Sequence, residues 1–365
     1  MSQQLRPLCD LKLDFRKAEG SRFTILAEII VLGMFCLVVL PQASGHAPLM
    51  PGGNDSLATA TIVSDPTKSW AIYSELHEGG EAHYYRFDIV EGQKIRLSLL
   101  KSTSPEEGDF LPGFVLMGSK LTSKGTLPSY VEMPEGAGSI VIEGKTPARG
   151  TYEAFSPSAF YRLGDLDLNA PSSGTYYIAI YEDSRGGHYG LAIGDRESFT
   201  LSEWVLAPLS FVAIYQWGGQ SLPVVLTPAA IVLLIGVTFL VLRRRFSGAP
   251  RTPFQWAGAL AGLLFVASGV TVICQMIFAL RIAPAASEAI VTSVLGLAPI
   301  VMGVLAAQFA VRGPANARTR VSLVILGFLA LFAWAGFLVG PMIAILCAVL
   351  PNPKERLQSA TKARV

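Results

Sequence analysis

The stretch LPVVLTPAAIVLLIGVTFLVLRRR, Leu222 to Arg245, decides how this chain is organised. It is apolar almost without interruption up to Leu242, and about 20 such residues are what a helix needs to cross the ~30 Å hydrocarbon core of a bilayer. Arg243, Arg244 and Arg245 close the run, and basic residues flanking a span favour the cytoplasmic side. The segment is therefore expected to run from outside to inside. Residues 46–200, ahead of it, then lie outside a cell membrane that the chain crosses several times.

Composition agrees. Of 365 residues, 51% are hydrophobic and only 15% charged, below the ~25% usual for soluble domains. The net charge of +2 conceals an asymmetry. Residues 46–200 hold 20 Asp+Glu against 12 Lys+Arg, a net of −8, whereas the rest holds 7 against 17, a net of +10. An acidic soluble part has the wrong sign for a nucleic-acid partner.

Residues 1–22 are polar, with Lys12, Arg16, Lys17 and Arg22 leading into the apolar run Phe23–Leu40, which Glu28 interrupts. Pro41 and the small residues Ala43-Ser44-Gly45 follow, at positions a signal peptidase reads. Residues 1–45 are therefore a signal peptide cleaved after Gly45 or a retained signal anchor; both leave the next domain outside.

From Ala47 to about Arg196 the pattern becomes short β-type runs separated by Gly, Pro, Asn and Asp. The runs are 58–63, 70–74, 83–90, 94–100, 113–117, 139–142, 160–168, 175–181 and 189–193. Arg96, Ser98 and Leu100 alternate with Ile95, Leu97 and Leu99, and Tyr176, Ile178 and Ile180 with Tyr177, Ala179 and Tyr181, the period of half-buried strands. Nine short strands with hardly any helical periodicity predict an antiparallel, jelly-roll-like β-sandwich over residues 46–200. All four cysteines (Cys9, Cys36, Cys274, Cys347) lie outside it, so its core carries its own stability.

Tyr84-Tyr85-Arg86-Phe87, then Glu91-Gly92-Gln93 and the strand Ile95–Leu99, resemble the first signature of the pre-peptidase C-terminal (PPC) domain. Asp109-Phe110 with Gly113-Phe114-Val115-Leu116 is similar to its second strand region, with the family's Asp-rich pattern thinned. Gly174-Thr175-Tyr176-Tyr177-Ile178, Gly187 and Tyr189-Gly190-Leu191 resemble its closing hairpin. The resemblance implies an accessory β-sandwich akin to carbohydrate-binding modules, with no catalytic residues to carry over. The whole chain resembles archaeal polytopic membrane proteins with this domain ahead of a helical bundle.

Residues 201–220, rich in aromatics (Trp204, Phe211, Tyr215, Trp217) and carrying Pro208, suit a collar lying in the outer membrane interface. Beyond the 222–242 span, 254–280, 289–311 and 321–350 complete a four-helix transmembrane region, residues 221–350. Arg251, Arg312, Arg318 and Arg320 then fall inside, and the loop 281–288 outside. The basic tail, residues 351–365, comes out on the wrong side. Either the rule fails there, or Gly340-Pro341 folds the last segment into a hairpin that returns inside; its 30 residues favour one tilted helix.

The sequence points to no catalysis. It contains no Gly-x-Ser-x-Gly elbow, no phosphate-cradling Gly-x-x-x-x-Gly-Lys loop and no His-Glu-x-x-His helix. The reading that follows is a non-enzymatic surface protein, in contact with the lipid bilayer, whose sandwich binds a glycan, an envelope protein or a surface layer. Trp70, Tyr73, Tyr84 and Tyr181 are candidates to stack on sugar rings, and Asn54-Asp55-Ser56 is a glycosylation sequon. Gly258, Gly262, Gly336 and Gly340 permit close helix approach, hence homo-oligomers. The alternative is an extracytoplasmic copper site. All four histidines (His46, His77, His83, His188) lie in the outer domain, and His46 at a mature N-terminus would offer amine and imidazole nitrogens, which suit Cu(II). A small-solute transporter is a further alternative; it requires Gln275 and Gln308 to face a common water-filled space.

Overall fold

The computed structural model describes residues 47–49, 51–243, 250–284, 288–312 and 316–350. The expected leader, His46 and the basic tail lie outside the described residues. Eleven strands form: β1 (Ala47–Leu49), β2 (Thr61–Ile62), β3 (Trp70–Leu76), β4 (Ala82–Ile89), β5 (Lys94–Ser102), β6 (Gly113–Gly118), β7 (Gly138–Ile142), β8 (Thr151–Glu153), β9 (Ser158–Asn169), β10 (Gly174–Tyr181) and β11 (Gly187–Ile193). Each of the nine expected runs carries one. β1 and β8 are additional, and three residues are too few to show a period.

The strands build two sheets, ordered β1-β3-β11-β5-β9-β8 and β2-β4-β10-β6-β7. Pairing is antiparallel except for the short edge strands, where β1 runs parallel to β3 and β2 to β4. Alternation sorts the faces. Ile95, Leu97, Leu99, Leu191 and Ile193 from the first sheet meet Tyr85, Phe87, Leu116, Tyr176 and Ile178 from the second in one core. The opposite face of the second sheet is also covered: Tyr84, Val115, Met117, Ala179 and Tyr181 pack under Val131 and its neighbours Leu127 and Tyr130. The structure is thus a two-sheet β domain followed by helices.

Among the described residues seven α-helices follow: α1 (Leu201–Leu206), α2 (Pro208–Trp217), α3 (Leu222–Leu242), α4 (Pro253–Leu280), α5 (Glu288–Arg312), α6 (Ala317–Phe332) and α7 (Val339–Cys347). Pro208 opens α2 rather than interrupting a helix, since the first turn has no use for its missing N–H. A capping box starts α1, with Thr200 accepting from the Glu203 amide while Glu203 reaches back, and Thr252 with Gln255 repeats the device on α4.

Three helices, Leu222–Leu242, Pro253–Leu280 and the span Glu288–Val311 within α5, are long and apolar enough to cross a membrane. Their outward faces are apolar. On α3, Ile231, Leu234, Ile235 and Phe239 are at least half exposed, a surface suited to lipid rather than water. The first two spans meet where Gly236 leaves room for Leu263.

The tightest contact is between α4 and α5. A Cβ at Gly262 would lie 2.5 Å from the Gly303 carbonyl oxygen, and one at Gly269 2.4 Å from that of Gly296. Only glycine lets the backbones approach this closely. Gly258 faces Ala310 and Cys347, while Gly336 and Gly340 lie against the Phe265 ring. All four glycines expected to mediate homo-oligomers are therefore consumed by contacts within the chain.

The last segment corrects a second expectation. It is not one tilted helix: α6 stops at Phe332 and α7 starts at Val339. Between them Trp334, Gly336, Phe337 and Leu338 all have positive φ, and Ser268 Oγ accepts from the Gly336 amide at 2.7 Å. Pro341 lies in the first turn of α7, where proline is tolerated, so the break precedes it. The chain then returns, and Arg320 at the start of α6 donates to the carbonyls of Ala348 and Leu350. Leu350 thus ends beside Phe254 and Arg320, at the end of the bundle remote from the sandwich.

Candidate functional site

The turn between β3 and β4 gathers the titratable cluster with the best-defined geometry. Gly80 adopts φ +81° and its N–H bonds to the Glu182 carbonyl, while Gly79 lies so close to Ser184 that a Cβ would come within 2.4 Å. This backing folds His77, Glu81 and His83 onto one another. Glu81 Oε2 accepts from the backbone N–H of His77 at 2.5 Å and of Glu78 at 3.3 Å. Its Oε1 then faces His83 Nε2 at 2.9 Å and His77 Nδ1 at 3.5 Å. One ligand atom from each of the three residues lies within 4.8 Å of the others. His83 is buried, and its Nδ1 is 2.9 Å from the Tyr189 hydroxyl, which in turn lies 2.7 Å from that of Tyr85. His77 is open to solvent, its side chain 76% exposed. The backbone bonds outweigh burial and hold the Glu81 carboxyl below its usual range.

Of the three candidate histidines among the described residues, the structure brings together two, His77 and His83. His188 belongs to another cluster: Nδ1 bonds to the Glu107 carboxylate, and Nε2 is 3.4 Å from Glu75. The bond to Glu107 raises its pKa, against the opposing effect of burial. The second oxygen of Glu107 is buried with no hydrogen-bond partner. Beside it the Lys101 ammonium donates to the carbonyls of Glu107, Gly108 and Phe110, and desolvation lowers its pKa.

The expected sugar platform does not assemble. Tyr84 and Tyr181 are buried in the second core, and the Tyr84 hydroxyl accepts from the Glu132 amide. Tyr73 packs edge-on against Trp217 under the helices, and Trp70 is stacked by Lys68. Alternation marked these residues as strand aromatics but could not say that both faces of the second sheet are covered. Asn54 is likewise 1% exposed and donates to the Tyr84 carbonyl, which leaves no access for a glycan. Gln275 is fully buried and exchanges two hydrogen bonds with Gln220, whereas Gln308 is exposed on α5. The two glutamines do not line a common path.

The second feature is the junction between sandwich and helices. Trp217 lies over the outer face of the first sheet and donates to the Tyr189 carbonyl. Lys68 forms a 2.6 Å ion pair with Glu203 of α1. The Tyr152 hydroxyl donates to Thr292 on α5, which passes its own proton to the Ala154 carbonyl. Across α1 and the α6–α7 turn Trp334 donates to the Trp204 carbonyl and Trp204 to that of Phe332, the two rings tilted with centroids 4.7 Å apart, Phe155 edge-on to both and Phe211 edge-on to Trp334. Glu153 borders this aromatic patch and a cavity of about 40 Å³ with Tyr73, Trp204 and Trp334. Burial raises its carboxyl to about 7, despite bonds from the Phe155 and Ala154 amides. On the other flank a cleft of about 340 Å³ opens between Ser104, Tyr215, Phe278 and Ile282, with the Gln220–Gln275 pair in its wall.

Sequence reasoning missed Glu81 and Glu153. The spacing His77-x-x-x-Glu81-x-His83 across Gly79-Gly80 is the signal that was available for the first; the second becomes visible only in three dimensions.

No family model matches the chain, and no curated protein matches it. Among solved structures the chain is similar to the pre-peptidase C-terminal domain of a collagenase from Bacillus anthracis. That match covers 38% of this chain and 97% of that domain, at 13% identity and a TM-score of 0.22. The two-sheet architecture itself rests on the strand pairing above.

Proposed function

We propose that this chain is a non-enzymatic, membrane-anchored surface protein whose helical region holds the sandwich outside the cell, where it binds an envelope partner. One observation carries this reading. The sandwich is clamped to the bundle through Trp217, Tyr152–Thr292, Lys68–Glu203 and the Trp204–Trp334 pair, at the end opposite Arg251 and Arg320. Basic residues favour the cytoplasmic face, so the clamped domain faces out. Return of the chain also brings Leu350 to Arg320, among the other positive charges. A domain fixed at several points, rather than tethered by a linker, presents its distal turns at a constant height and angle, which suits a receptor or scaffold.

The test is residue accessibility on intact cells. Glu135→Cys lies on an exposed loop of the sandwich, and Arg318→Cys on the arginine end. A membrane-impermeant maleimide is expected to label the first on whole cells and the second only after permeabilisation. The reverse pattern would refute the orientation and with it the surface role.

A further inference from the structure

We propose that His77, Glu81 and His83 form a binding site for a borderline divalent transition-metal ion, Zn²⁺ or Cu²⁺, with Tyr189 as the residue that positions His83. The donor set is two imidazole nitrogens and one carboxylate oxygen, which suits these ions, while Ca²⁺ and Mg²⁺ take oxygen ligands.

The geometry is nearly closed already. At metal–ligand lengths near 2.1 Å, donors around a tetrahedral ion stand about 3.4 Å apart. Glu81 Oε1 sits 2.9 Å from His83 Nε2 and 3.5 Å from His77 Nδ1. His77 is the exposed member, so a small rotation of a ring free to move completes the set. The remaining position would take water or an outside ligand.

Two further features fit. First, Glu81 does not depend on the ion for its placement, because its other oxygen is fixed by the amides of His77 and Glu78. Second, Tyr189 holds His83 from behind, in the way outer-shell partners orient metal-ligating histidines. When His83 Nδ1 donates its proton to Tyr189, the Nε2 lone pair faces a carboxylate oxygen at 2.9 Å. A proton on Nε2 shared with that oxygen, or a metal ion in its place, joins the two. The site uses neither His46 nor His188, and it stands independently of the membrane orientation.

Metal-free full-length protein in detergent would be titrated with Zn²⁺, and separately with Cu²⁺ followed by electron paramagnetic resonance. One saturable equivalent is expected, with nitrogen hyperfine structure in the Cu²⁺ spectrum. His77→Ala, which removes an exposed side chain and leaves the core intact, should weaken binding at least ten-fold, and Glu81→Gln similarly. His188→Ala should leave it unchanged. Absence of saturable binding, or wild-type affinity in His77→Ala, would overturn the assignment, as would loss of binding in His188→Ala alone.

Discussion

Replacing Glu153 by Gln should remove a pH dependence that this carboxyl imposes on the sandwich–bundle junction. Its pKa rises from 4.5 to about 7 because burial disfavours the charged form, and Glu197 adds repulsion. The folded protein therefore binds more protons than the unfolded chain between those values. Stability contributed by the neutral form is complete below pH 4.5 and is lost as pH rises toward 7. A shift of that size corresponds to about 3 kcal/mol. Glutamine keeps the oxygen that accepts from Phe155 and carries no charge. At pH 8 the variant should be more stable by that order, a rise in melting midpoint of roughly 6–12 °C for a unit of this size. At pH 4.5 the two proteins should melt together. The assay is thermal unfolding in detergent, followed by tryptophan fluorescence, since Trp204 and Trp334 line the same cavity. His188, whose pKa is also raised, adds a slope of the same sign to both proteins and cancels in the difference. Curves that stay parallel from pH 4.5 to 8 would refute a proton-holding Glu153.

Two further outcomes follow from packing. Gly262→Val would drive side-chain atoms into the Gly303 carbonyl, with a cost of about 1–3 kcal/mol for overpacking; size-exclusion profiles in detergent after graded heating should show earlier aggregation, whereas a well-folded variant altered only in oligomeric state would contradict an intrachain role. Asn54→Ala removes the donor to the Tyr84 carbonyl and should destabilise the sandwich by about 1–3 kcal/mol, read by chemical denaturation; a decrease in intact mass by the mass of a glycan would refute its burial.

Much of the architecture was legible because it rests on periodicity. Ile95, Leu97 and Leu99 face the core as their alternation requires, and the long apolar runs appear as helices. Local pattern could not supply pairing or depth. Tyr84 and Tyr181 alternate like surface aromatics, yet a loop around Val131 covers them. Gly340-Pro341 has the composition of a breaker, but proline in a first turn breaks nothing; the chain reverses instead at Trp334–Leu338, where non-glycine residues take positive φ and Gly336 lies against Phe265. His77 and His83 were singled out by residue type, and Glu81 between them was passed over because only the fold shows which way a turn carboxylate points. His188 was grouped with them by composition alone, and register sends it to Glu107.

The clamp also dictates an order of manufacture. Tyr152 and its partner Thr292 are 140 residues apart, and Trp204 lies 130 residues before Trp334. At ribosomal speeds of about 5–20 residues per second, the sandwich waits on the order of ten seconds for the helices that will lock it. During that interval only α1 and α2 hold it, through Lys68–Glu203 and Trp217–Tyr189, with Phe155 and Trp204 still uncovered. Each later helix removes a degree of freedom, and the α6–α7 turn, synthesised after α4 and α5, brings Trp334 onto Trp204. A nascent chain stalled before that point would carry a complete sandwich held through Lys68–Glu203, Trp217–Tyr189 and Tyr152–Thr292 but lacking the Trp204–Trp334 contact.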